Sequence, residues 1–95
     1  MTSKQRAYLS GLASNAPVVV QVGKSGLTPE LIESVHEAFN TRELVKIAVL
    51  NNCPQDAHSI AWPLAERSRS AVVRVVGKKI ILYKRDKDKP KIELP

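Results

Sequence analysis

Four consecutive residues, Gly23-Lys24-Ser25-Gly26, have the types and spacing best suited to binding an anion. The two glycines let the backbone come close to a bound group. Lys24 adds a positive charge and Ser25 a hydroxyl, and both suit contact with the phosphates of a nucleic acid. A helix behind the loop would add free amide groups and the positive end of its dipole. The pattern has a second, purely structural interpretation as a tight strand-to-helix connection that needs a positive φ.

The same residues do not form a nucleotide-binding loop. The phosphate loop of NTPases needs a glycine five residues before the glycine that precedes the lysine, and here that position is Val18. A dinucleotide fingerprint fails too, since it needs Gly-x-Gly before its third glycine. A Gly-x-x-Gly loop is instead the element with which KH domains hold about four nucleotides of backbone.

The overall composition favours a polyanionic partner. The chain has 95 residues and a net charge of +6, which indicate one small domain attracted to RNA, DNA or an anionic membrane. Aromatic residues make up only 4% of the chain, which argues against a sheet that stacks several RNA bases. There is a single cysteine, no apolar run long enough to span a bilayer, and a polar N-terminus. We therefore expect a cytoplasmic protein without disulfides or membrane segments.

No set of residues predicts catalysis. Cys53 could pair with His36 or His58 as a nucleophile and its base, but nothing in the sequence brings them together. The histidines and carboxylates show no metal-ligand spacing. We therefore predict no catalytic residue, metal or cofactor, and we interpret Trp62 as a packing residue.

The loop needs a strand before it and a helix after it. The β-branched run over residues 18–22 predicts the strand, and Thr28 and Pro29 predict the N-cap and first position of the helix. An earlier helix is predicted over residues 3–13, with Ser3 as its N-cap. The predicted buried stripes are Tyr8, Leu9, Leu12 and Ala13 in the earlier helix, and Leu31, Ile32, Val35, Ala38 and Phe39 in the later one.

The second half of the chain predicts one more helix and three strands. Residues 43–50 alternate as a strand, residues 56–69 have helical spacing, and Pro63 is expected to kink or divide that helix. Residues 72–76 and 79–83 form a predicted hairpin around Gly77-Lys78. Its predicted register places Val75 opposite Ile80 and Val73 opposite Leu82. Residues 84–95 are a charged, extended tail that we expect to be solvated.

The order α-β-α-β-α-β-β predicts an α/β fold in a single domain over residues 1–95. Alternation of this kind favours a four-stranded mixed sheet packed by helices, with parallel crossovers and one antiparallel hairpin. We predict a two-layer sandwich.

Several segments together resemble the CRM family, the chloroplast RNA splicing and ribosome maturation domain, in its single-domain bacterial form. The matching segments are residues 9–13 (LSGLA), 19–28 (VVQVGKSGLT), 42–47 (RELVKI), 75–84 (VVGKKIILYK) and 91–95 (KIELP). The resemblance implies a fold similar to the C-terminal domain of bacterial translation initiation factor three. It also implies binding to RNA in precursors of the large ribosomal subunit, as a monomer without enzymatic activity.

The resemblance implies that the RNA contacts are Gly23, Lys24, Ser25 and Gly26. Basic residues elsewhere are expected to add secondary contacts, namely Lys4 and Arg6 in the first helix and Arg42 and Lys46 near the second strand. Two alternatives remain at this point. The protein could instead dock on a ribosomal protein through a sheet face bearing Arg74, Ile81 and Tyr83, or it could be a small phosphate-ester enzyme, which the absence of paired carboxylates disfavours.

Overall fold

The computed structural model describes all 95 residues and contains three helices and four strands in the predicted order. The elements are α1 (Ser3–Ser14), β1 (Val20–Val22), α2 (Pro29–Phe39), β2 (Leu44–Val49), α3 (Ala57–Ser68), β3 (Ala71–Val76) and β4 (Lys79–Tyr83). The strands form one sheet in the order β1-β2-β4-β3. β1 is parallel to β2, whereas β4 is antiparallel to both of its neighbours. The predicted α/β fold with a four-stranded mixed sheet is confirmed.

The helices begin at polar caps. As predicted, α2 begins after Thr28, whose hydroxyl accepts a hydrogen bond from the Leu31 N–H at 3.1 Å. The predicted N-cap of α1 was wrong, because Thr2 caps this helix instead of Ser3. The Thr2 hydroxyl accepts the Gln5 N–H, and the Gln5 side chain accepts the Thr2 N–H in return. This reciprocal pair needs an acceptor three residues after the cap, and the residue three after Ser3 is Arg6, which has none.

The main core lies between the sheet and the helices α2 and α3. The predicted stripe of α2 is confirmed, since Leu31, Val35 and Ala38 are buried and the other two members pack against the same cluster. The central strands contribute fully buried side chains, including Ile47, Ile80 and Leu82.

The opposite face of the sheet is covered by α1. Leu9 and Ala13 are fully buried there and pack in a second cluster with Val73, Ile81 and Tyr83. Tyr8 and Leu12, which were predicted to share this stripe, remain 43% and 41% exposed. Helices therefore cover both faces of the sheet, and the predicted two-layer arrangement gains a third layer.

A β-bulge in β3 changes the predicted hairpin register. Val75 lies opposite Ile80 as predicted, but Val72 rather than Val73 lies opposite Leu82. The register shifts between Val72 and Arg74, so Val73 is the additional residue of the bulge. An additional residue of this kind interrupts the alternation of side chains between the two faces of the sheet. Val73 consequently joins the cluster under α1 instead of the main core.

Pro63 does not divide α3. The helix is continuous from Ala57 to Ser68, with Asp56 as its N-cap. A proline inside a helix costs about 3 kcal/mol, and burial of the neighbouring Ile60, Ala61 and Leu64 offsets this cost. Trp62, which was predicted to be a packing residue, is 60% exposed.

The charged tail folds back onto the domain. Residues 84–95 contain no helix or strand, and their charged side chains are largely exposed, as the charge pattern indicated, but the backbone lies against the domain and does not extend into solvent. The Glu43 carboxylate accepts backbone N–H groups from Asp86, Lys91 and Ile92 at 2.6–2.7 Å. Ile92 and Leu94 then pack against the cluster under α1. One side chain therefore fixes the path of the tail.

Glu43 depends on these hydrogen bonds because it is only 3% exposed. Burial alone would raise the pKa of its carboxyl group, but the three backbone donors outweigh burial and hold the pKa below its ordinary value of 4.5. A carboxyl group whose pKa is lowered by folding makes its full contribution to stability when the pH is above its ordinary pKa. That contribution is lost as the pH falls through the lower pKa of the folded state.

We expect Glu43→Gln to reduce the free energy of unfolding at neutral pH by about 2 kcal/mol. One of the three backbone N–H groups would then face the NH₂ group of the glutamine amide and lose its acceptor. The difference from the wild type should shrink below the ordinary pKa, where the wild-type carboxyl group begins to be protonated. Urea denaturation at several pH values measures both effects. The matched control is Glu37→Gln on the exposed side of α2, and equal stability of the two variants would contradict the role of Glu43.

Candidate functional site

The Gly23–Gly26 loop is a β-turn whose tip is open to solvent. The Gly26 N–H donates to the Gly23 carbonyl at 3.0 Å, which closes the turn. Lys24 and Ser25 occupy the tip and are exposed. Their backbone N–H groups donate to no other atom of the protein. The tip therefore presents two free amide donors beside a lysine and a hydroxyl, a combination that can bind a phosphate oxygen.

The two glycines of the loop have different roles. Gly26 is buried and has a φ of +62°, and a Cβ atom there would lie 2.3 Å from the Gln55 Oε1 atom. That same oxygen accepts the Leu27 N–H at 3.3 Å. Gly23 does not have a positive φ, and a Cβ atom there would find its nearest neighbour at 3.8 Å. The structural interpretation of the pattern therefore applies to Gly26, whereas a Cβ atom at Gly23 would make only ordinary van der Waals contacts.

The N-terminus of α2 contributes fewer free donors than the sequence indicated. Thr28 already accepts the Leu31 N–H through its hydroxyl and the Ile32 N–H through its carbonyl. Pro29 has no N–H group. Glu30 also lines the depression beside the loop, and its negative charge opposes an anion there. The amides of the loop tip are therefore the main available donors, because the one N–H group without an acceptor in the first turn of α2 belongs to Glu30, whose own carboxylate opposes an anion.

Two further loops lie at the same end of the sheet, and backbone hydrogen bonds connect all three. The Leu50 N–H donates to the Val22 carbonyl at 2.8 Å, and the Val49 N–H donates to the Lys78 carbonyl at 2.7 Å. The Lys78 ammonium also donates to the Asn51 side chain. We call this region the loop end, comprising residues 23–26, 50–55 and 77–79.

The secondary basic residues lie away from the loop end. Arg42 precedes β2, so it lies at the opposite end of that six-residue strand, about 20 Å from the Gly23–Gly26 loop. The Lys46 ammonium donates to the Ala13 and Ala16 carbonyls at 3.2 and 3.5 Å, which places it at the C-terminal end of α1. Lys4 and Arg6 are exposed in the first turns of α1. The structure therefore brings together the four loop residues but not the four secondary residues.

The residues considered for catalysis have separate environments. Cys53 packs against the main core, His58 is exposed on α3, and His36 lines a depression beside the first residues of the tail. No group of three or more His, Cys, Asp or Glu residues is arranged to hold a metal ion. None of the helices has the length and apolar character needed to cross a membrane.

The sheet face considered for protein docking is not available. Ile81 and Tyr83 are only 5% and 8% exposed, because α1 and the tail cover them. Arg74 is exposed, and its guanidinium donates to the Ser10 hydroxyl on α1 at 3.2 Å. The prediction of an exposed mixed face was wrong because the sequence does not reveal where α1 packs.

Comparisons with known proteins agree with this fold and identify relatives that align with the whole chain. A family model described as the CRS1 / YhbY (CRM) domain matches residues 1–84. A Bacillus subtilis protein named "Probable RNA-binding protein YqeI" is 40% identical over 95 residues, which cover 100% of this chain and 99% of that protein. A Haemophilus influenzae protein named "RNA-binding protein" is 30% identical over 95 residues, covering 100% and 95% of the two chains.

A solved structure shows the same fold. The solution structure of the hypothetical protein SAV1595 from Staphylococcus aureus superimposes with a TM-score of 0.85 at 38% sequence identity, and the alignment covers 100% of this chain and 99% of that one. The fold is thus that of a small α/β domain with a four-stranded mixed sheet. The chain belongs to the CRM domain family, as the sequence motifs predicted.

We expect the two loop glycines to differ when each is replaced by alanine. Gly26→Ala should reduce the free energy of unfolding by about 1–3 kcal/mol, since alanine is strained at a positive φ and its Cβ atom would displace Gln55. Gly23→Ala should be neutral or stabilise the protein by up to about 1 kcal/mol, because it restricts the unfolded chain. Urea denaturation of both variants provides the comparison, and an equal loss of stability in both would contradict these separate roles.

Proposed function

We propose that this protein binds RNA, with the Gly23–Gly26 loop in contact with the phosphate backbone. The observation that carries this proposal is the pair of free backbone amides at Lys24 and Ser25, exposed at the tip of a turn that Gln55 supports from behind. Backbone amides and a lysine contact phosphates without reading the bases. The loop therefore fixes the position of the strand, and any sequence preference arises from other contacts.

Two further observations support RNA as the ligand. The net charge of +6 favours association with a polyanion. Relatives that align with the whole chain carry the name RNA-binding protein. The proposed activity is binding without catalysis.

The RNA that we propose is that of large ribosomal subunit precursors, and the protein would act on it as a cytoplasmic monomer. This part of the proposal comes from the resemblance to single-domain bacterial CRM proteins, which implies ribosome assembly as the setting. The alternative was docking on a ribosomal protein through the face with Ile81 and Tyr83. We do not favour it, because α1 and the tail cover that face. RNA binding is therefore the function that the exposed features support best.

Lys24→Ala should weaken the binding of single-stranded RNA. Loss of one phosphate contact reduces the slope of log K against log salt by about 0.7 for a single strand. At about 0.1 M salt this corresponds to roughly fivefold weaker binding, with sequence preference unchanged. Fluorescence anisotropy with a labelled RNA over a range of salt concentrations measures both quantities.

The control for this experiment is Arg67→Ala, which removes one exposed positive charge near the far end of α3. Arg67 follows the N-cap Asp56 by eleven residues, which places it about 16 Å along the helix from the loop end. If Lys24→Ala and Arg67→Ala have the same effect on affinity and salt slope, the loop is not the contact.

Crosslinking of protein to RNA in growing cells tests the ribosomal part separately. We expect adducts in ribosomal RNA of large-subunit precursors, and fewer of them with Lys24→Ala. Adducts confined to messenger RNA would contradict the ribosomal assignment while leaving RNA binding intact.

A further inference from the structure

We infer that the bound RNA strand continues from the Gly23–Gly26 loop across the loop end to the turn between β3 and β4. There the ammonium groups of Lys78 and Lys79 bind its next phosphates. This inference rests on the proposed function. It adds a second contact and the path that the RNA takes between the two contacts.

Hydrogen bonds fix the position of the second contact. β4 is separated from β1 only by β2, so the turn at Lys78 lies two strand spacings, about 10 Å, from the loop. The Val49 N–H holds the Lys78 carbonyl on one side of β2, and the Leu50 N–H holds the end of β1 on the other. The two basic loops therefore keep a constant separation, which a single extended strand can bridge.

Charge indicates which way the strand leaves the loop. The flank toward α2 carries three exposed carboxylates along that helix, Glu30, Glu33 and Glu37, and they repel a phosphate backbone. The flank toward β4 carries Lys78 and Lys79, which are both exposed. Asp56 also lies near this flank, but its carboxylate caps α3 by accepting the Ser59 N–H at 2.7 Å. The strand is therefore attracted across the loop end and not along α2.

The side chains between the two basic loops are suited to a nucleic acid. Lys78 has three ammonium donors and uses one on Asn51, so the others are available to a phosphate. Asn51 and Asn52 are exposed between the loops, and Asn52 lines the depression beside Lys24. Asparagine amides can contact either phosphates or base edges. The path thus runs from Lys24 past two amides to Lys78.

The test compares a short and a long single-stranded RNA oligonucleotide. The short one has about four nucleotides, the length that a Gly-x-x-Gly loop holds, and the long one has a length three times as great. The variants are Lys24→Ala and the double variant Lys78→Gln with Lys79→Gln. The matched control is Lys87→Gln with Lys89→Gln, which removes two exposed lysines beyond the opposite end of β4. NMR titration gives each Kd, and the spectra show that each variant is folded.

We expect Lys24→Ala to weaken both oligonucleotides. The double variant at Lys78 and Lys79 should weaken only the long one, by roughly tenfold or more at about 0.1 M salt, with a reduction in salt slope of about 1.4. The tail control should change neither.

Other results would overturn the inference in distinguishable ways. If Lys24→Ala weakens both oligonucleotides and the double variant weakens neither, the loop binds RNA but the strand does not cross to Lys78. If the tail control weakens binding of the long oligonucleotide as much as the double variant does, the effect comes from the overall positive charge of the protein, and the proposed path is wrong. If neither Lys24→Ala nor the double variant changes any Kd, the proposed function fails as well.

Discussion

Pairing of β2 with β1 on one side and with β4 on the other is the constraint on which the rest of the structure depends. The parallel pair aligns the ends of β1 and β2, so the Gly23–Gly26 loop lies beside residues 50–55. The antiparallel pair places Lys79 opposite Ala48, which brings the β3–β4 turn to the same end. The opposite end of the sheet holds Glu43 and the tail. This arrangement separates an open basic end from an end closed by the folded tail.

The residues of the Gly23–Gly26 loop have separate structural and binding roles. Gly26 supplies the positive φ and the close approach to Gln55 that shape the turn, while Lys24 and Ser25 present unpaired amides to solvent. A glycine-rich loop of this kind needs no helix dipole to bind a phosphate, since its own amides are the donors. The cap at Thr28 supports that conclusion, because its hydroxyl and carbonyl oxygens already accept the Leu31 and Ile32 N–H groups of α2.

Local patterns predicted most of the fold, and long-range packing accounts for the differences. The cap at Thr28, the stripe of α2 and the pair Val75–Ile80 follow from neighbouring residues, and each is confirmed. The bulge at Val73, the burial of Ile81 and Tyr83 under α1 and the binding of the tail by Glu43 depend on residues far apart in sequence. The same holds for the site. The sequence indicated Lys24, but the proximity of Lys78 depends on the pairing of β2 with β4.

An amide NMR titration of the wild-type protein with single-stranded RNA tests most directly whether the Gly23–Gly26 loop holds the phosphate backbone. We expect the largest chemical-shift changes at the Lys24 and Ser25 amides, since these free donors would gain a phosphate acceptor. Changes concentrated on the exposed side of α3 around Trp62, with Lys24 and Ser25 unaffected, would contradict this role of the loop.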